Sequence, residues 1–198
     1  SWRLKSVLRT RWFFSDGEIV GLFQAHVLSF IEYRTPALYH ACSTDLAELD
    51  RVLSNLLRQV GIDDVEALFE FRLAPLTCRR DIAMLAIIHR ALLGEGPPVF
   101  REYFRLSDST VRRSDRLQRH RRQIVTQFEG NELAVFKRSI FGLTRIYNML
   151  PESIVERDIV HGFQGVLQDL FKERVAQGQV QWTMLFSPRV PYATHPLR

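Results

Sequence analysis

The residues of this chain best suited to chemistry are guanidinium groups, and the chemistry open to them is the binding of phosphate. Arg101, Arg105, Arg112, Arg113, Arg116, Arg119, Arg121 and Arg122 stand against Glu102, Asp108 and Asp115, so residues 101–122 carry a net charge of +5. Arg112, Arg113, Arg116, Arg119, Arg121 and Arg122 are spaced by three residues and by about one turn, which would align several of them on one face of a helix. Such a face neutralises several phosphates, and each contact releases counterions, so binding weakens as salt rises. A charge run also serves as a plain solvated surface, and both readings stay open. Positive charge comes from 24 Arg and 3 Lys. Arginine binds phosphate with a planar fork and stacks on bases, which suits nucleic acid, although a GC-rich coding sequence gives the same bias with no function attached.

Other chemistry-bearing groups read as structural. Asp63 and Asp64 could in principle hold magnesium, but that chemistry needs carboxylates in a tight turn between apolar strands and a third from elsewhere. Here the pair lies between two helical patterns, so Asp63 reads as a helix cap. His40 and Cys42, with His26, lack the second ligand pair by which zinc sites announce themselves. His89 lies on a broadly apolar helix with no nucleophile or carboxylate companion in sequence, and reads as a core or rim histidine. There is neither a glycine-rich phosphate loop nor a Gly-x-Ser-x-Gly elbow. Cys42 and Cys78 are too few and too far apart for a Cys-x-x-Cys pair. No catalytic centre, metal or cofactor is expected, and the chain as given does not read as an enzyme.

The elements that must position these arginines are helical. Ser15 and Glu18 form a capping-box pattern, and Ile19, Val20, Phe23, Val27, Phe30 and Ile31 follow at helical spacing until Thr35-Pro36 ends the run. Asp45 and Glu48 repeat the capping pattern ahead of Leu46, Leu49, Leu53, Leu56, Leu57 and Val60, and Gly61 stops that helix. Asp63 and Glu66 cap a shorter one. From Leu76 to Leu93 the chain is apolar over much of a helix circumference, before Gly94 and the Gly96-Pro97-Pro98 loop. Residues 105–131 are polar and arginine-rich and are expected to be exposed. Apolar residues return from Leu133 to Leu150. Ile159, Phe163, Val166, Leu167, Leu170 and Phe171 mark a last helix ending near Gly178.

The expected fold is therefore all-α: an irregular multi-helix bundle with an arginine-rich loop or helix and extended ends. One domain is expected in four parts: helices over 1–104, the arginine-rich connection over 105–131, helices over 132–178 packing on the same core, and an extended tail over 179–198. At 46% hydrophobic and 25% charged the composition is that of a globular protein, and no apolar run is long enough to span a bilayer. The stretch Trp2 to Arg9 lacks the longer apolar centre of a signal peptide, so a cytoplasmic or nuclear location is expected. Residues 44–70 hold seven acids against Arg51 and Arg58, a net charge of −5, which polarises the chain.

Four segments in order resemble the region after the palm in LINE-type, non-LTR retrotransposon reverse transcriptases. Phe30-Ile31-Glu32-Tyr33-Arg34-Thr35-Pro36 is similar to the Glu-Tyr-small-Pro segment that opens their thumb-like helices. Leu49 to Gly61 occupies the place of the next helix, without the Gln of that pattern. Leu73-Ala74-Pro75-Leu76-Thr77-Cys78-Arg79-Arg80 is similar to the Leu-x-x-Leu-x-x-Arg-Arg signature. Arg138-Ser139 and Arg145-Ile146-Tyr147-Asn148-Met149-Leu150-Pro151 are similar to the closing Arg-Ser and Trp-Asn-x-Leu-Pro element, with Tyr147 in the Trp position. The resemblance spans residues 20–172 and includes nothing of the palm. It implies an RNA-directed DNA polymerase as parent, with this part helping to hold template RNA or RNA–DNA duplex beside an upstream palm. The expected contacts are Arg112, Arg113, Arg116, Arg119, Arg121 and Arg122, with Arg79, Arg80 and the Arg3 to Arg11 end. A helical protein-interaction module that docks basic partners through residues 44–70, or a degenerate retroelement remnant, is the alternative.

Overall fold

A computed structural model describes residues 2–107, 120–125 and 134–198. The fold is all-α, as the periodicity predicts. It comprises two compact units, Ser1–Arg80 and Asp81–Arg198, so the first division falls after Arg80 rather than at residue 104.

In the first unit, α1 (Trp2–Arg9) places Leu4 and Val7 in a core with α2 (Asp16–Phe23) and α5 (Ser43–Val60). Ser15 starts α2 by the predicted reciprocal bonds: its Oγ accepts from the Glu18 N–H, and its own N–H donates to the Glu18 carboxylate at 2.8 Å. The Ser15 N–H and the Ser15 hydroxyl, which donates to Glu18 Oε2 at 2.7 Å, hold the Glu18 carboxyl below its ordinary pKa. A single α-helix was the expectation up to Thr35, but residues Gln24–Leu28 form a π-helical turn, followed by α3 (Ser29–Tyr33). Thr35-Pro36 does not simply terminate the run. It opens α4 (Thr35–Leu38), where proline stands in the first turn and its missing N–H costs no helical bond.

The start of α5 also departs from expectation. Its N-cap is Cys42, whose Sγ accepts from the Asp45 N–H at 3.4 Å while the thiol donates to the Asp45 carboxylate at 2.9 Å. Asp45 is therefore the third helical residue and the thiol replaces the usual hydroxyl of a reciprocal cap. At the other end Gly61 adopts φ +83, the left-handed region that glycine enters without a Cβ penalty. Asp63 caps α6 (Asp64–Phe71) by accepting from the Glu66 N–H at 2.7 Å. The magnesium-like carboxylate pair is thus a helix start. Val20, Phe23, Val27, Leu56 and Leu57 fill the core of this unit, each nearly excluded from solvent.

The second unit begins within α7 (Leu76–Leu92). Consecutive Met84, Leu85 and Ala86 are all buried, so this helix is covered on more than one face, as its apolar circumference predicts. After α8 (Phe100–Tyr103) and α9 (Ala134–Lys137), the helices α10 (Gly142–Met149), α11 (Glu152–Val155) and α12 (Val160–Ala176) build the core around Leu143, Tyr147, Phe163, Leu167 and Phe171.

The tail is not extended. Trp182–Met184 and Tyr192–Thr194 are 3-10 turns, and Trp182, Leu185, Phe186, His195 and Leu197 are buried. Phe186 meets Phe171 of α12 edge-on with ring centroids 4.9 Å apart, and Trp182 meets the same ring at 6.0 Å. Prolines had suggested a solvated end, but the apolar side chains that precede and follow them outweigh the cost of ordering the chain. Replacing Phe186 by alanine is expected to destabilise the second unit by about 3–5 kcal/mol, read as a lower urea midpoint by circular dichroism.

Candidate nucleic-acid interface

Residues on either side of the arginine-rich stretch pair in one short stem in the second unit. Leu106 pairs with Ile124 in an isolated antiparallel bridge; the Ser107 N–H donates to the Gln123 carbonyl at 2.7 Å and the Val125 N–H to the Arg105 carbonyl at 2.9 Å. The returning leg is tied to α10 by Asn148, whose Oδ1 accepts from the Ile124 N–H and whose Nδ2 donates to the Ile124 carbonyl, both at 2.8 Å. The Gln123 side chain adds a bond to the Asn148 carbonyl, and buried His120 donates from Nε2 to the Tyr147 carbonyl at 3.0 Å. An exposed connection over 105–131 was expected, yet Ile124 and His120 are buried: Ile124 is bonded to Asn148 of α10 and His120 Nε2 to the Tyr147 carbonyl, while His120 Nδ1 has no partner among the described residues.

The predicted phosphate contacts fall into three groups. Arg112, Arg113, Arg116 and Arg119 lie between the legs of the stem, outside the described residues. Arg121 follows directly on the returning leg: its N–H donates to the Glu152 carboxylate at 2.9 Å and the residue is exposed. Arg79, Arg80 and Arg122 are engaged internally. Arg122 donates to the Val155 carbonyl at 2.8 Å and to the Asp158 carboxylate at 3.0 Å, bracing the chain between α11 and α12. Arg79 pairs with Glu32 and donates to the Arg72 carbonyl. Arg80 grips Asp50 of α5 with both terminal nitrogens, at 2.7 and 3.0 Å, and only 6% of its side chain is exposed. Arg80 is a correction to the expected set, since a guanidinium already sealed against a carboxylate has no face left for a phosphate.

His89 is a core residue. Its Nε2 donates to the Arg157 carbonyl at 2.7 Å, which leaves Nδ1 to accept from the Tyr147 hydroxyl at 2.8 Å. Its ring stacks on Phe163 with centroids 4.1 Å apart. Burial lowers the His89 pKa and raises that of Tyr147, so the neutral imidazole and the neutral phenol are the stable pair. Neither side chain reaches solvent, so this pair braces α7 against α10 rather than meeting a substrate. Cys42 is taken by its cap, and among the described residues no group of three or more His, Cys, Asp or Glu side chains could hold a metal ion. Among those residues, too, no helix is long and apolar enough to cross a membrane.

The stem was hidden in sequence, since its bonds and those that tie it to α10 join residues at least 16 positions apart. Arg34 was also missed as a binding candidate; its guanidinium lies 3.9 Å from the Phe30 ring centroid. The aromatic-x-x-x-Arg spacing from Phe30 to Arg34 was the available signal. Comparison with known protein families, with curated proteins and with solved structures finds no match.

Two consequences are measurable. Replacing Asp50 by asparagine leaves the Arg80 guanidinium without its counter-charge, and should cost about 2–3 kcal/mol in urea unfolding, less than for a fully buried pair because Asp50 is partly solvated. Burial also holds His89, His120 and His195 below the usual 6.5. The unfolded chain therefore takes up protons first as pH falls. The stability these neutral histidines contribute is complete above 6.5 and is lost as pH drops towards their folded pKa values. The urea midpoint should fall between about pH 7 and pH 5, and His120→Gln should flatten that slope.

Proposed function

We propose that this chain is a non-catalytic, nucleic-acid-binding part of a retroelement reverse transcriptase, in which residues 101–122 grip the backbone of template RNA or RNA–DNA duplex. The observation that carries the reading is the anchoring of a segment of charge +5 at a fixed stem on α10. A phosphate chain is bound by sequence-independent charge, which needs concentrated guanidinium groups at a defined place more than it needs a rigid pocket. Arg112, Arg113, Arg116, Arg119 and Arg121 are the residues assigned to this contact. Arg79, Arg80 and Arg122 act instead by holding the helices together.

The ordered resemblance across residues 20–172 supplies the parent activity, RNA-directed DNA polymerisation, and the upstream palm as the partner within that protein. Protein docking through acidic residues 44–70 is less well supported. Asp50 is held by Arg80, Glu48 by Arg51, Asp45 by Cys42, and Asp63 by the start of α6.

Binding of the full chain to an RNA–DNA hybrid, measured by fluorescence anisotropy over a salt series, tests this reading. The logarithm of affinity should fall linearly with the logarithm of salt, by about 0.9 per phosphate contacted. Reversing Arg112, Arg113, Arg116 and Arg119 to glutamate should weaken binding at least tenfold and flatten the slope by about three or four contacts' worth. A flat salt response, or unaltered binding by the reversed chain, overturns the reading.

A further inference from the structure

The first unit carries a second basic surface, with a different construction. Residues 1–15 contain Arg3, Lys5, Arg9 and Arg11 and no carboxylate. Glu32 is the only carboxylate in residues 19–44, and Arg79 occupies it. On this ground two guanidinium groups converge on one half-exposed ring: Arg3 lies 4.1 Å and Arg34 3.9 Å from the centroid of Phe30. The ring quadrupole favours each cation separately, but the two cations repel one another. Arg3 is held in place by a bond from its Nη1 to the His26 carbonyl at 3.2 Å. Neither Arg3 nor Arg34 has a carboxylate partner among the described residues. An anion beside them would relieve the repulsion.

Flat aromatic faces stand beside these cations. Trp2 is 73% exposed and has Arg3 at 5.6 Å from its ring, while Tyr33, next to Arg34, is 88% exposed. A groove of about 360 Å³ opens between α1 and the π-helical turn, lined by Trp2, Arg3, Thr10, Leu22 and His26 among others. Guanidinium groups without a carboxylate partner among the described residues, beside open aromatic faces, match a polymer with a charged backbone and unpaired bases.

We propose that this face of the first unit binds single-stranded nucleic acid, with Trp2 and Tyr33 stacking on bases while Arg3 and Arg34 take the phosphates between them. The site uses none of the residues assigned to the 101–122 segment. It does not rest on the function proposed for that segment. A duplex, whose bases are already stacked on one another, offers it only backbone charge. An apolar protein surface fits poorly, because it would bury two cations without a counter-charge. An anionic bilayer also fits poorly, because Leu4 and Val7, the apolar side of α1, are committed to the core.

The test compares the full chain with two variants, Trp2→Ala/Tyr33→Ala and Arg112→Glu/Arg113→Glu/Arg116→Glu/Arg119→Glu. Each is titrated with an unstructured single-stranded oligouridylate, with an RNA–DNA hybrid and with phosphatidylserine vesicles. The aromatic variant should lose about tenfold or more in affinity for the single strand and keep its affinity for the hybrid. The arginine-reversed variant should keep more of its single-strand than of its hybrid binding. Trp2 and Tyr33 are exposed, so an unchanged thermal transition is the accompanying expectation. Arg34→Gln provides a second variant, which should weaken the single strand and reduce its salt dependence by about one contact. Single-strand affinity unchanged in both Trp2→Ala/Tyr33→Ala and Arg34→Gln overturns the proposal, as does binding of the parent chain to vesicles with none to the oligouridylate. Failure of hybrid binding alone would remove the function proposed for residues 101–122 and leave this site standing.

Discussion

A buried polar group must find a partner, and in the second unit that requirement falls on two neighbouring side chains of α10. Tyr147 sends its hydroxyl to His89 of α7, and Asn148 closes both backbone valences of Ile124. One residue thus joins two helices, and the next does for an isolated stretch of chain what an adjacent strand would do in a sheet. The Tyr147 carbonyl then receives His120, so the same turn of helix secures both faces of the core and the return of the arginine-rich stretch. The stem is thus positioned on α10 by neutral hydrogen bonds.

The arginines divide by what surrounds them rather than by how they are spaced in sequence. Arg80 is enclosed and bidentate with Asp50, Arg122 ends among carbonyls at the mouth of α12, and Arg3 and Arg34 lie over an aromatic ring with no acid beside them. The first two environments neutralise or saturate the guanidinium, and the third leaves its charge unspent. A chain so biased towards arginine uses one side chain for two opposite purposes, fastening helices and presenting charge.

What the sequence could disclose was largely local. The cap at Ser15, the left-handed end at Gly61 and the cap at Asp63 each depend on residues within one turn, and each forms where the pattern puts it. The thiol cap at Cys42 was obscured by a serine, a threonine and an aspartate just after it, all commoner in that role. The π-helical turn leaves the apolar spacing nearly intact, so periodicity could not expose it. Of the candidate interface, the concentration of arginine was legible. The stem that holds it, and the burial of Arg80 against Asp50 thirty residues away, depend on long-range packing that no local pattern encodes. The tail was misjudged because its prolines drew more weight than Trp182, Leu185 and Phe186 ahead of them.

The π-helical turn at Gln24–Leu28 carries a surplus residue inside an otherwise regular helix, and that surplus acts as a phase setting. Each residue of an α-helix advances the azimuth by roughly 100°. Were that turn wound as ordinary α-helix with the surplus residue retained, everything downstream would be re-aimed by about that angle. Phe30 and Arg34 would then no longer share a bearing with Arg3, although every side chain involved would survive. The convergence of two cations on one ring is thus a matter of helical timing, which depends on the wide turn absorbing its extra residue.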